Sequence, residues 1–209
     1  MTDKTVAALL ARRLLVELSI STFRSNINAA RRALWLGEWV VTDFIAEMIV
    51  ILERGFEQAA REGESECGIL PGERSLKGRT ALIRYSVEQE QYIEQFALDI
   101  EKSNKASGGL LSTTDYRVNM WVNRYNEVVN LMRTIECADR KYEWVLGPTE
   151  HCPDCQRLAG KVKRGSVWDA YGIRPQSASL ACGGYNCKCE LVPTDKPLSR
   201  GPLPKLIGR

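Results

Sequence analysis

Apolar residues recur at three- and four-residue intervals over most of the first two thirds of the chain, which predicts a run of amphipathic helices. Val6 to Leu36 reads as helix, in one piece or two, with Ser21-Thr22 offering an N-cap for the second piece. From Gly37 the period sharpens: Trp39, Val40, Phe44, Met48, Ile51 and Leu52 line one side, while Asp43, Glu47, Glu53 and Glu57 fall mainly on the other. Gly63 is placed to end that helix as a left-handed C-cap. Glu64 to Gly78 reads as a connector turning at Pro71-Gly72. Ser86 to Lys102 is a further helix on Tyr92, Ile93, Phe96 and Ile100, and Ser103 to Gly109 is a polar loop.

The next helix carries the strongest start signal. Ser112-Thr113-Thr114-Asp115 sets a capping hydroxyl three residues before a carboxylate at the positive end of the helix dipole. Trp121, Tyr125, Val128, Met132 and Ile135 form its stripe, and Val118, Val122 and Val129 widen it. An apolar arc that broad must meet several neighbours, so this helix, running to about Cys137, is expected at the centre, with Arg117, Arg124 and Asn126 either on an exposed edge, the preferred reading, or at a partner contact.

At Tyr142 the period changes from helical to alternating. Tyr142, Trp144 and Leu146 predict a short strand into Gly147-Pro148. Strands at Gly160 to Lys163 and Lys188 to Val192, with a helical turn at Ser166 to Tyr171, complete a small module in which Trp168 and Tyr171 cover the candidate site. The residues after Pro193 are proline-rich without apolar periodicity and read as an extended arm. The expected fold is mainly α with a small α+β C-terminal zinc-binding module. Its parts are a helical domain over 1–138, a Cys-rich metal-binding module over 139–193, and an arm over 194–209.

Cysteine placement gives that module its chemistry. Five of the seven cysteines and the only histidine lie between Tyr142 and Val192. Cys152-Pro153-Asp154-Cys155 presents two thiolates from one turn, and Cys182, Cys187 and Cys189 present three more. Two short cysteine clusters separated by a loop are how a tetrahedral structural zinc site is assembled. Cys152 and Cys155 form one ligand pair. The second pair is either Cys182 with Cys187, bracketing Gly183-Gly184, or Cys187 with Cys189, which face the same way on a strand; the former is preferred. His151 adjoins Cys152, and chain neighbours seldom reach one ion together, so it reads as a surface turn residue. Cys67 stands alone and reads as a free thiol, and Cys137 as a buried one.

Composition and charge narrow the classes. A chain of 209 residues, 44% hydrophobic, supports one or two domains with a sizeable core. Asp3, Arg12, Arg13 and Glu17 interrupt the N-terminal apolar residues, so no secretory signal is expected, and a reducing compartment favours metal over disulfide. The run Trp39 to Leu52 is too short and too charged to span a bilayer. Gln156 to Arg209 holds ten Lys or Arg and three Asp or Glu, a balance of +7, leaving −4 for the rest of a chain of net charge +3. That asymmetry keeps a zinc-ribbon nucleic-acid binder as the alternative function. No phosphate-binding GxxxxGK[ST] loop, HExxH or nucleophile elbow occurs. A deaminase would need H-x-E before its P-C-x-x-C, and a thioredoxin-like CxxC would need a βαβ setting; neither is present, so no enzyme is expected.

The succession Glu143-Trp144, Cys152-x-x-Cys155, Leu158-Ala159-Gly160-Lys161-Val162 and Asn186-Cys187-Lys188-Cys189-x-Leu191 resembles the C-terminal part of the Mu F-like minor head proteins of bacteriophages. Their pattern is a Trp-containing strand, a CxxC, a Leu-x-Gly-Lys-Val segment and a terminal HPNCRC before a hydrophobic residue. The resemblance spans Tyr116 to Pro193. Where the family has the His of HPNCRC this chain has Gly184, and the resemblance implies that Cys182 takes that ligand's place. It also implies a structural minor capsid protein for head morphogenesis, acting at the portal or capsid interior. Expected partners are the portal or major capsid protein and packaged DNA, with no membrane and no small-molecule substrate. The expected location is the virion head, and the host cytoplasm during assembly.

Overall fold

A computed structural model describes residues 20–70 and 72–207 of the protein. The helical reading of Val6 to Ser19 and the turn residue Pro71 lie outside the described residues. Five longer helices come first: α1 (Ile20–Leu36), α2 (Val41–Ser65), α3 (Leu76–Glu90), α4 (Ile93–Lys102) and α5 (Asp115–Glu136). Then follow β1 (Lys141–Val145), α6 (Pro153–Leu158), β2 (Val162–Arg164), α7 (Gly165–Ala170) and β3 (Glu190–Pro193). The architecture is mainly helical with a small three-stranded antiparallel sheet near the C-terminus, as the change of period at Tyr142 predicts.

Burial follows the helical stripes. Phe44, Met48, Leu52 and Phe56 of α2 meet Phe23 and Ile27 of α1, Phe96 and Ile100 of α4, and Tyr125, Val128 and Met132 of α5 in one core. Helix α5 packs on α1, α2, α3 and α7, so the breadth of its apolar arc is used on several sides. Its start differs from expectation. A 3-10 turn over Leu111–Thr114 precedes it, no side chain caps its first amides, and Asp115 is drawn 2.6 Å from Nη1 of Arg31 on α1. A buried guanidinium outbids the local capping box.

Several other local expectations are corrected. Ser21 and Thr22 lie inside α1 rather than capping it. Gly63 does not end α2, which continues to Ser65. A Cβ there would stand 2.4 Å from the Val129 carbonyl oxygen and 2.9 Å from Met132 Cβ, so this glycine is where the backbones of α2 and α5 come together. Helix α3 begins ten residues before the expected Ser86, with Ser75 accepting from the Gly78 amide as N-cap. Its sequence signal is weak because Leu76, Ile83 and Val87 are exposed, so no clean stripe marks it. Cys67 is not a free thiol: it is joined to Cys137 in a disulfide, and both lie just beyond the C-terminal ends of α2 and α5.

The sheet has the order β2-β1-β3. Glu143 pairs with Val162 on one side, and Trp144 with Leu191 on the other. Tyr142 and Trp144, two apart and therefore on one face, are fully buried with Trp168, Leu158 and Leu191 in a second core. Tyr171 is half exposed and adds nothing to that core. Residues 194–207 are extended but docked. Ser199 donates its amide to the Val162 carbonyl, Lys196 pairs with Glu143 at 2.7 Å, and Leu203 is buried in the second core.

Candidate metal centre

Cys152 is the N-cap of α6, and Pro153 occupies the first helical position, where its missing N–H costs nothing. One turn later Cys155 points inward and is buried. Asp154, also buried, fixes this turn to two distant segments by accepting the Ala181 amide at 2.8 Å and the Ile207 amide at 2.7 Å. The second cluster sits in a turn with left-handed residues at Gly183, Gly184 and Asn186. Cys187 and Cys189 follow it and lead into β3.

The fold brings all five clustered cysteines together. Cys152, Cys155 and Cys182 form one group whose sulfurs lie within 4.8 Å of one another, and Cys155, Cys187 and Cys189 form another. Cys155 belongs to both and stands 4.0 Å from Cys187. Both alternatives for the second ligand pair therefore contribute: Cys182 joins the CxxC pair, while Cys187 and Cys189 join each other through Cys155. His151 is not a detached surface residue. It is half-buried, and its Nδ1 lies 3.8 Å from the Cys189 sulfur.

The sulfurs interact strongly. Contacts from Cys155, then Cys182 and Cys189, hold the Cys187 thiol far below the usual thiol range. The contacts with Cys182, Cys187 and Cys189 push Cys155 far above it. Thiols crowded this closely resist accumulating negative charge as they ionise. Thiolates in that situation are stabilised by a cation, so the five cysteines could hold a metal ion.

Helix α5 grips the backbone that carries these sulfurs. Asn123 donates to the Gly184 carbonyl at 3.0 Å, and Arg124 donates to the Gly183 carbonyl at 3.1 Å. Asn130 donates at 3.1 Å to Gln176, whose amide donates in turn at 2.6 Å to the Cys189 carbonyl. Gly184 is confined by the same contacts, since a Cβ there would stand 1.9 Å from the Gln176 carbonyl oxygen and 2.4 Å from the Arg124 guanidinium. Arg124 is buried, not on an exposed edge, and lies 2.5 Å from the Glu127 carboxylate. Tyr85 donates to that carboxylate at 2.8 Å. Sequence reasoning passed over Asn123, Asn130 and Gln176. The one signal available was polar residues interrupting the broad apolar arc of α5.

The fold and site define a helical protein carrying a small cysteine-rich module with a candidate metal centre. No protein family profile, curated protein or solved structure matches the chain. Among the described residues, no helix is long and apolar enough to cross a membrane.

Proposed function

We propose that the protein is a structural minor head component of a bacteriophage, acting at the portal or capsid interior without catalytic turnover. The observation that carries this reading is the ordered set of Trp144, the CxxC of Cys152 and Cys155, Leu158 to Val162, and Cys187 to Leu191. What supports a structural role is that Trp144, Cys155, Leu158, Cys187, Cys189 and Leu191 meet in one buried cluster, which makes the motif a folding unit.

The ion we assign to that unit is zinc. Five thiols with an imidazole beside them form a soft donor set, and zinc takes four such ligands with no redox chemistry of its own. Its ligands are drawn from Cys152, Cys155, Cys182, Cys187 and Cys189. Bound there, zinc contributes its binding free energy to folding of the module.

The nucleic-acid alternative draws less support, because several basic residues of the C-terminal part already have partners within the chain. Lys163 donates to the Ser199 and Gly201 carbonyls, Arg157 to the Lys205 carbonyl, and Lys196 pairs with Glu143. Mass spectrometry of purified virions and assembling heads from the source phage tests the role. The protein is expected beside portal and major capsid proteins, and its absence from both particles overturns the proposal. DNA affinity falling steeply with salt would favour the alternative.

A further inference from the structure

We propose that the cysteine cluster holds two soft divalent cations rather than one, bridged by the Cys155 thiolate. The inference rests on the metal reading above. It concerns the number of ions and the ligands of each.

A single tetrahedral zinc with bonds of about 2.3 Å needs four sulfurs mutually about 3.8 Å apart. Among the described residues no four of the five sulfurs lie mutually within 4.8 Å; they form two groups of three that share Cys155, with Cys182 also approaching Cys187 between the groups. A one-ion site would require the triangles to rearrange. Two ions, one per triangle, use the groupings the sulfurs already form, and a thiolate has the lone pairs to serve both.

Three further observations agree. His151 and Cys152 are chain neighbours, too close in sequence to share an ion comfortably, yet each approaches the cluster. They do so on opposite sides: Cys152 joins Cys155 and Cys182, while His151 Nδ1 lies 3.8 Å from Cys189. The imidazole is thus the nearest nitrogen donor for the second ion. Burial also divides the set. Cys155, Cys187 and Cys189 are all buried, whereas Cys152 and Cys182 are half-buried, so water reaches the first triangle and completes its coordination. Charge favours two ions as well. One divalent ion with four thiolates carries 2 − 4 = −2 and strands a fifth thiol, whereas two ions with the five thiolates carry 4 − 5 = −1. A smaller net charge costs less to hold in a largely buried site. Each ligating thiol releases its proton to solvent as the ion enters.

The inner ion of Cys155, Cys187 and Cys189 is therefore the closed, structural one. The outer ion of Cys152, Cys155 and Cys182 is exchangeable. Full-length protein, kept reduced, stripped with chelator and reloaded with Zn²⁺, tests this by elemental analysis and native mass spectrometry. Two ions per chain are expected, with one surrendered first to a competing chelator. Cys152→Ser and Cys182→Ser should each retain one ion and keep the buried-tryptophan emission of the folded module. Reloading with Co²⁺ should give two coupled ions per chain, their paramagnetic signal attenuated through the thiolate bridge. One ion per wild-type chain overturns the bridged pair and leaves a single-zinc staple standing; no ion overturns both. Neither result bears on presence in virions, which is measured separately.

Discussion

The two cores of the molecule are held by different means. In the helical part, Phe44 and Phe96 meet edge to face at 5.4 Å, Phe56 and Tyr85 do the same, and Phe23 lies 5.4 Å from Tyr125. These rings come from long helices whose backbone hydrogen bonds are internal, so apolar burial alone can support them. The C-terminal core has strands of three to five residues, two helices of six, and three buried cysteines of the cluster among its twelve buried members. Thiols contribute little area, and a module of about fifty residues is marginal without a staple. The first core can stand on its side chains, while the second is gripped by α5 and, in the zinc reading proposed above, is completed by the ion on its sulfurs.

The sharpest break in that comparison is removal of the proposed zinc. Chelation, or Cys155→Ser, should unfold the sheet module, because structural zinc contributes on the order of 10 kcal/mol of apparent binding free energy to folding. Trp144 and Trp168, buried with ring centres 5.7 Å apart, should shift their emission to the red, while helical circular dichroism up to α5 persists. Simultaneous loss of both signals would mean that the two cores form one cooperative unit.

The next largest effect is expected where the cores are tied together. Arg124→Ala removes the donor to Gly183 and leaves the buried Glu127 carboxylate to Tyr85 and the more distant Arg174, at a cost of about 3 kcal/mol. Denaturant midpoints of Arg124→Ala and of Arg124→Met with Glu127→Gln measure it. The double variant should recover part of the loss, since it removes both charges of the Arg124–Glu127 pair; if it is no better than the single, the desolvation argument fails.

What was legible in the sequence follows the same division. Helical stripes announce themselves by period, so the positions of Phe44, Phe96 and Tyr125 in a core could be read directly. Helix α3 escaped because its apolar residues Leu76, Ile83 and Val87 face outward. Gly63 was misread because a glycine near a helix end has two uses, and only the partner helix reveals which one applies. The same limit hid the Cys67–Cys137 disulfide, whose partners are 70 residues apart and meet only because α2 and α5 pack together. In the module, the cysteine spacing revealed the site, but the division into two triangles around Cys155 depends on how the loop after α7 folds back. Asn123, Asn130 and Gln176 were invisible for that reason too: their carbonyl and amide partners are set by tertiary contact.

The disulfide offers a smaller test. Closing a 70-residue loop in the unfolded chain is worth up to about 4 kcal/mol in the chain-entropy account. Cys67→Ser should lower the denaturant midpoint by a corresponding amount. The wild-type protein should fall to the same midpoint when reductant is added, provided zinc is kept saturating. Thiol counting in denatured, unreduced, metal-free protein should find five reactive thiols and not seven. Seven would mean that the pair remains reduced, and the two midpoints should then coincide without reductant.

The smallest effect separates the cores by pH. Burial alone would raise the Glu57 carboxyl, but hydrogen bonds and charge from Arg74, and then Arg61, hold it below its ordinary value. A carboxyl depressed in the folded state adds stability above its unfolded value of 4.5, and that increment fades as pH falls through the folded value. Because Glu57 is partly exposed, its contribution should be no more than about 1 kcal/mol and should shrink in salt. The cysteine module, loaded with zinc as proposed, should respond to acid for another reason, since protonation of ligating thiolates releases the ion. Acid titration of metal-loaded protein should therefore lose the Trp144 and Trp168 signal without any help from Glu57. Glu57→Gln should flatten the acid dependence of the helical signal alone. If that substitution moves the tryptophan transition as well, Glu57 stabilises the module through α2 and α5, and the two cores are coupled more tightly than their packing implies.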